Sequence, residues 1–317
     1  MKQILLLGGT GFVGAHVCEK AGQLQCRLTL ATRRLENAKP MQSLPWVDPV
    51  AVDVHDEAAL TRLVRGHDAV LNLVAILHGD AAAFTKVHVD LPAKLLRACA
   101  AGGVQRLVHV SALGAAADAP SMYQRSKAQA EALLRASDLD LTILRPSVLF
   151  GAGDRFLNLF AKLQAFAPFV PLAGARTRFQ PVWVEDVAQA IVNALRAGSA
   201  TGRGRGPVLE ACGPELFTLR ELVQIAGRLS GHPRPVFALP TALGRLQALL
   251  MEFGPGQPLM SRDNLEAMQT DNVASGALPG LEALGVQVSA LSAIAPTYLR
   301  PAQADVHLAR RRIAGRF

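Results

Sequence analysis

The apolar run Ile4-Leu5-Leu6-Leu7 leads straight into Gly8-Gly9-Thr10-Gly11-Phe12-Val13-Gly14. An apolar run this short, with no polar alternation, reads as a strand buried on both faces. The residues from Phe12 to about Gln23 carry helical spacing. Glycines between such a strand and such a helix allow a tight turn, close approach of a pyrophosphate to backbone N–H groups, and close packing of helix on strand. Gly9, Gly11 and Gly14 satisfy GxGxxG, and Gly8, Gly11 and Gly14 satisfy GxxGxxG. Residues Gly8, Gly9, Thr10, Gly11, Phe12, Val13 and Gly14 therefore form a candidate dinucleotide loop.

The rhythm that this junction starts continues along the chain. Ile4–Leu7, Leu28–Ala31, Val50–Val54, Ala69–Val74, Arg106–Val110 and Leu139–Leu144 are strand candidates, separated by helix-length segments. Strands apolar on both faces and alternating with helices predict a Rossmann-like α/β fold, a doubly wound parallel sheet. Beyond about residue 200 the rhythm fades, and Ser199–Pro207 reads as a connection. The expected organisation is a dinucleotide-binding domain over 1–200 and a smaller C-terminal α/β lobe over 201–317. At 317 residues, half of them apolar, the chain is long enough for both.

The second strand ends in Ala31-Thr32-Arg33-Arg34. An NAD site calls for a carboxylate here to hold the ribose 2′-OH. Arg33 and Arg34 instead offer planar forks of donors suited to a 2′-phosphate, so NADP(H) is favoured, and Glu36 keeps NAD(H) as the alternative. Asp53-Val54 is expected at the end of the third strand, facing the adenine. Leu73-Val74-Ala75 is expected at the end of the fourth, beneath the cofactor.

Tyr123 and Lys127 stand four residues apart on a helix predicted to begin near Ser121, and so share a face. A phenol is a poor acid at neutral pH. A neighbouring ammonium and a positive nicotinamide ring stabilise its anion and let it exchange a proton with a substrate hydroxyl or carbonyl. The lysine can also hold the nicotinamide ribose. The chain has two tyrosines, and this one follows the fifth predicted strand.

With these motifs in place, the sequence resembles the short-chain dehydrogenase/reductase superfamily, in its extended and atypical branches related to NAD-dependent epimerases and dehydratases. The residues that carry the resemblance are GGTGFVG, Asp53, Val108 to Leu113, Tyr123 to Lys127, Arg145-Pro146-Ser147, Phe150 to Asp154 and Val184-Glu185-Asp186-Val187. It implies Tyr123 as acid/base, Lys127 as its partner, Ser111 as the carbonyl-orienting hydroxyl and Pro146 among the cofactor contacts. Relatives tend to carry the catalytic hydroxyl slightly farther along, where this chain has Ala112-Leu113. Ser111 to Gly114, Gln180 to Val184, Pro258 to Asn264 and Gln269 to Val273 resemble the atypical subgroup containing the Rossmann-fold accessory subunit of respiratory complex I. That resemblance implies either an oxidoreductase linked to quinone or respiratory metabolism, or a non-catalytic subunit stabilised by its nucleotide. A nucleotide-sugar epimerase or dehydratase is a further alternative, for which Arg176, Arg178 and Arg262 are the candidate substrate cations.

The formal charge of +8 gathers at Arg203 and Arg205, at Arg176 and Arg178, and at Arg310-Arg311-Arg312. Such clusters suit an acidic partner. Aromatic residues are sparse and no nucleic-acid motif accompanies the arginines, so nucleic acid is not expected. A respiratory or membrane-associated complex is the partner expected beyond the dinucleotide and an apolar or sugar-nucleotide substrate. Cys18, Cys26, Cys99 and Cys212 show no metal-ligand or disulfide spacing, and no metal site is expected. No stretch reaches the roughly 20 apolar residues of a membrane span. The expected location is cytoplasmic, with peripheral attachment at the inner membrane face as the variant. The helical pattern Leu243–Phe253, followed by Gly254-Pro255-Gly256, reads as a cover for the core, a lid, or a face against membrane.

Overall fold

The computed structural model describes residues 2–197, 206–253, 258 and 260–300. Six strands alternate with helices through its first half: β1 (Gln3–Leu7), β2 (Arg27–Thr32), β3 (Val47–Ala51), β4 (Ala69–Asn72), β5 (Arg106–Val110) and β6 (Asp140–Pro146). The intervening helices are α1 (Phe12–Lys20), α2 (Glu57–Val64), α3 (Ala81–Thr85), α4 (Leu91–Gly102) and α5 (Met122–Arg135). Four short strands follow, β7 (Leu149–Phe150), β8 (Val170–Leu172), β9 (Arg178–Phe179) and β10 (Val182–Trp183), with α6 (Leu157–Phe166) between the first two. After α7 (Val184–Ala197), strand β11 (Val208–Ala211) returns to the main sheet. Strands β12 (Phe217–Thr218) and β13 (Val236–Ala238) and helices α8 (Leu219–Leu229), α9 (Thr241–Glu252) and α10 (Arg262–Ala267) build most of the rest.

The sheet runs β11-β6-β5-β4-β1-β2-β3, parallel at every pairing. It is the doubly wound Rossmann-like arrangement, and its strand order reverses between β1 and β4, where ligands of such sheets bind. The apolar run of β1 feeds both faces: Ile4 and Leu6 join one core with Val17, Val187 and Ile191, while Leu5 and Leu7 join the other with Leu60, Leu91 and Leu95. Two-sided burial is why this strand shows no polar alternation.

Two expectations shift. The third strand is Val47–Ala51 rather than Val50–Val54, because β3 pairs only with β2 and an edge position tolerates Pro49. Its ladder closes where the Val52 N–H donates to Thr32 O at 2.8 Å. Asp53 then accepts from the His55 N–H, and Asp56 caps α2 by accepting from Ala58 and Ala59. Asp53-Val54 thus lies in a loop past the strand. The sheet also crosses the boundary expected near residue 200: β11 supplies its last strand, and Leu281 and Val286 pack into the first core. A third core beneath the later segments gathers Phe150, Leu157, Leu219, Leu222 and Tyr298.

Residues 199–205 of the expected connection, with Arg203 and Arg205, lie outside the described residues, as do Gly254-Pro255-Gly256 and Arg310-Arg311-Arg312. Among the described residues no helix is long and apolar enough to cross a membrane. All four cysteines are free and buried.

Candidate dinucleotide and proton-transfer site

Three of the four loop glycines are required by the chain itself, each for a different reason. At Gly8, φ is +79° and a Cβ would stand 2.8 Å from the backbone of Leu73 and Val74. The glycine loop therefore lies against the segment that leaves β4. A Cβ on Gly9 would meet the Leu30 and Leu6 side chains, and one on Gly14 would collide with the Gly9 backbone. Gly11 differs. It is exposed, its φ of −82° suits any residue, and the nearest atom to an added Cβ is Gly8 O at 3.4 Å. Nothing in the chain itself demands glycine there. Gly11 is the N-cap of α1, with no capping side chain and no acid in the first turn. Uncapped first-turn N–H groups beside an open glycine fit an incoming phosphate.

At the far end of the loop, Thr32 Oγ1 donates to Arg34 O at 2.9 Å and accepts from the Arg34 N–H at 3.3 Å, folding the two arginines into a tight turn. Arg33 and Arg34 are exposed, and among the described residues neither guanidinium makes a hydrogen bond or ion pair. Asp53 and Glu36 are exposed and Val54 is buried. Leu73 and Val74 are half-buried against the two cores, and Ala75 is exposed.

The candidate proton-transfer residues gather around the C-terminal end of β5. Ser121 caps α5 by accepting from the Gln124 N–H at 3.1 Å, placing Tyr123 and Lys127 on successive turns of one face. The Lys127 ammonium is buried, stands 6.0 Å from the centre of the Tyr123 ring and donates to Val110 O at 3.1 Å. Ser111 follows Val110, and its hydroxyl is buried and, among the described residues, without a partner. Pro146 ends β6, and its carbonyl accepts from the Leu113 N–H at 2.9 Å. Burial pushes the phenol up to about 12 and the ammonium down to about 8, the latter opposed by Glu131. The protein groups alone therefore leave the phenol protonated at neutral pH. The other tyrosine, Tyr298, is committed elsewhere, donating to Asp154 at 3.0 Å.

Several polar residues at this site carry no local signal in the sequence. A π-helical turn over Lys86–Asp90 drives His88 into the interior, its ring 5.4 Å from that of Tyr123. His88 Nε2 accepts from the Ile76 N–H at 3.1 Å, so Nδ1 carries the proton toward Ser126 Oγ at 2.8 Å. Burial, with Lys127 nearby, pushes His88 down to about 3. Asn72 accepts from the Val74 N–H, and its amide lies 3.2 Å from His109 Nδ1. Asp263, on α10, accepts from the N–H groups of Met122 and Tyr123 at 2.5 and 3.1 Å, so a carboxylate 140 positions downstream holds the first turn of the tyrosine helix.

The cations expected for a sugar nucleotide are largely occupied. The Arg178 guanidinium and N–H both donate to Asp271, and those of Arg262 donate to Glu252. The Glu185-Asp186 pair is structural: Glu185 takes His16 at 2.7 Å and Lys20 at 2.9 Å, tying α7 to α1, while Asp186 accepts from the Ser289 N–H.

Residues 8–197 match a family model described as NAD(P)H-binding. The chain belongs to this NAD(P)H-binding family. Within curated proteins, this family member is 31% identical over 296 residues to the mitochondrial NADH dehydrogenase (ubiquinone) 1 alpha subcomplex subunit 9 of Mus musculus, covering 90% of this chain and 76% of that protein. The corresponding subunit of Arabidopsis thaliana is 31% identical over 288 residues, covering 85% and 70%. Among solved structures, the dTDP-glucose 4,6-dehydratase of Streptomyces venezuelae with NAD bound superposes with a TM-score of 0.71 at 22% identity, covering 94% of this chain and 96% of that one. That likeness is one of fold.

Proposed function

We propose that the protein is an NADP(H)-dependent oxidoreductase of the short-chain dehydrogenase/reductase type, acting on an apolar carbonyl or alcohol connected with quinone or respiratory metabolism. The observation that carries the reading is the grouping of half-buried Tyr123, buried Lys127 and the buried, unpartnered Ser111 hydroxyl around the end of β5, with an open glycine loop at the end of β1. A buried hydroxyl without a partner is costly unless a ligand completes it, and Gly11 is a space that the chain itself does not use. Both features fit a dinucleotide with its nicotinamide end near β5 and its pyrophosphate at α1. Arg33 and Arg34, unopposed by acid, support NADP(H) over NAD(H).

A bound nicotinamide would supply or accept the hydride. Ser111 Oγ would hold the substrate oxygen, and Tyr123 Oη would pass it a proton or take one from it. Lys127, whose ammonium titrates near 8 and so stays mostly charged at neutral pH, would stabilise the phenolate by its charge and hold the ribose. His88 and Asp263 would fix the tyrosine helix from two sides. The occupation of Arg178 and Arg262 by carboxylates argues against a sugar nucleotide as substrate. Similarity across most of the chain to NADH dehydrogenase subunits supports a second reading, in which the nucleotide stabilises an accessory subunit and no turnover occurs.

The test measures NADPH oxidation with a water-soluble ubiquinone analogue and with medium-chain ketones, alongside NADPH binding by fluorescence, for wild type and Tyr123→Phe. The enzyme reading expects activity in wild type and a loss of about a hundredfold or more in the variant at unchanged NADPH affinity. Tight NADPH binding with no oxidation in either protein, and equal thermal stabilisation of both, favours the accessory reading.

A further inference from the structure

Helix α9 packs in reverse of the usual pattern. Its buried residues are the small ones, Gly244 and Ala248, with an added Cβ at Gly244 only 2.8 Å from Ala173 Cβ. Its large apolar residues face solvent: Leu243, Leu246, Leu250 and the C-cap Phe253 are 52%, 51%, 65% and 80% exposed. Their spacing of three and four places them on one stripe. The stripe is not alone. Phe237 of β13 meets Phe169, which precedes β8, edge to face at 6.0 Å, and both are at least half exposed. Phe166, the last residue of α6, is 91% exposed. Gln247 of α9 donates to Pro171 O in β8, and Arg234, just before β13, donates to Gln164 O in α6. These contacts join the stripe and the three phenylalanines on one side of the C-terminal segments. An exposed apolar surface of this extent marks an interaction face.

The charge around it points to the occupant. Residues 155–176 and 228–253, which carry the face, hold six cations and one carboxylate, Glu252; Arg155 and Arg245 are engaged within the protein, Arg245 by Glu266 of α10, and Lys162, Arg176, Arg228 and Arg234 make no ion pair among the described residues. Arg262 engages that carboxylate. A second copy would bring like charges together across the contact. An anionic lipid surface instead offers acyl chains to the large apolar residues and phosphates to the cations. We propose that this face seats in the headgroup and upper acyl layer of an anionic phospholipid bilayer.

The face also adjoins the candidate site. Glu252, at the end of α9, accepts from the N–H and the guanidinium of Arg262, and the next residue, Asp263, caps the helix that carries Tyr123. Lipid docking would set the bilayer beside the segment that caps the Tyr123 helix, and it does not depend on turnover.

The full chain is sedimented with vesicles of phosphatidylcholine alone and of phosphatidylcholine mixed with phosphatidylglycerol, at low and high salt. Leu246→Ser/Leu250→Ser/Phe253→Ser is compared with wild type, with its fold checked by NADPH-induced thermal stabilisation. The proposal expects wild type to pellet with the anionic vesicles, less so at high salt, and the variant to bind at least about tenfold more weakly, since one large apolar side chain withdrawn from water is worth about that much. It is overturned if wild type pellets with neither vesicle, or if the folded variant pellets as well as wild type. A wild-type dimer in solution that the variant converts to monomer also overturns it, by assigning the face to a second copy.

Discussion

Gly11 and Gly8 stand three residues apart in one loop, and the structure assigns them opposite sensitivities to alanine. At Gly8 a methyl group must enter the left-handed region at φ +79° and approach the Leu73 and Val74 backbone at 2.8 Å. The conformational cost is about 1 to 2 kcal/mol and the steric cost about 1 to 3 kcal/mol. Gly8→Ala should therefore destabilise the protein by about 2 to 5 kcal/mol. At Gly11 the backbone is ordinary and the nearest atom lies 3.4 Å away. Gly11→Ala should leave stability unchanged or raise it by up to about 1 kcal/mol through the unfolded chain. Its cost falls on the ligand. A methyl group where a phosphate approaches the first turn of α1 should weaken NADPH binding about tenfold or more, an energy of about 1.4 kcal/mol or more. Urea unfolding followed by circular dichroism reads the first quantity, and fluorescence titration with NADPH reads the second. The reasoning is refuted if Gly11→Ala unfolds as readily as Gly8→Ala, or if it binds NADPH as wild type does.

Replacing Arg33 and Arg34 together by serine should weaken NADPH binding about tenfold or more, the weight of a charge-assisted hydrogen bond, and leave NADH binding unchanged in parallel titrations. Lys127 sheds its proton near pH 8 when folded, whereas the unfolded chain holds it to about 10.5. Between these values the unfolded state carries the extra proton, so raising the pH favours the fold. Wild type should gain stability relative to Lys127→Met over that interval, by an amount on the order of 3 kcal/mol at most, as read from urea midpoints. Asp263→Ala removes the carboxylate that holds the first turn of α5 and should cost about 1 to 2 kcal/mol, with faster proteolysis around residues 260–270 in the folded protein.

The sequence by itself determined what rests on near neighbours in the chain. A run apolar on both faces, a glycine turn and a helical pattern are local, so β1, the loop and α1 were legible, and repetition of the unit implied a parallel sheet. The four-residue spacing of Tyr123 and Lys127 placed them on one face of a helix for the same reason. The pairing of distant segments belonged to the tertiary structure. The register of β3 follows from its edge position, which admits Pro49, and β11 joins the sheet although the rhythm before it has faded. His88 reaches the tyrosine through a π turn that its apolar surroundings do not announce, and Asp263 meets α5 across 140 residues. Arg178 and Arg262 read as free cations in the sequence and are engaged by Asp271 and Glu252 in the fold. The periodicity of α9 announced an amphipathic helix without saying which face is buried. Packing decided that: Gly244 and Ala248 allow the close approach, and the leucines are left outside.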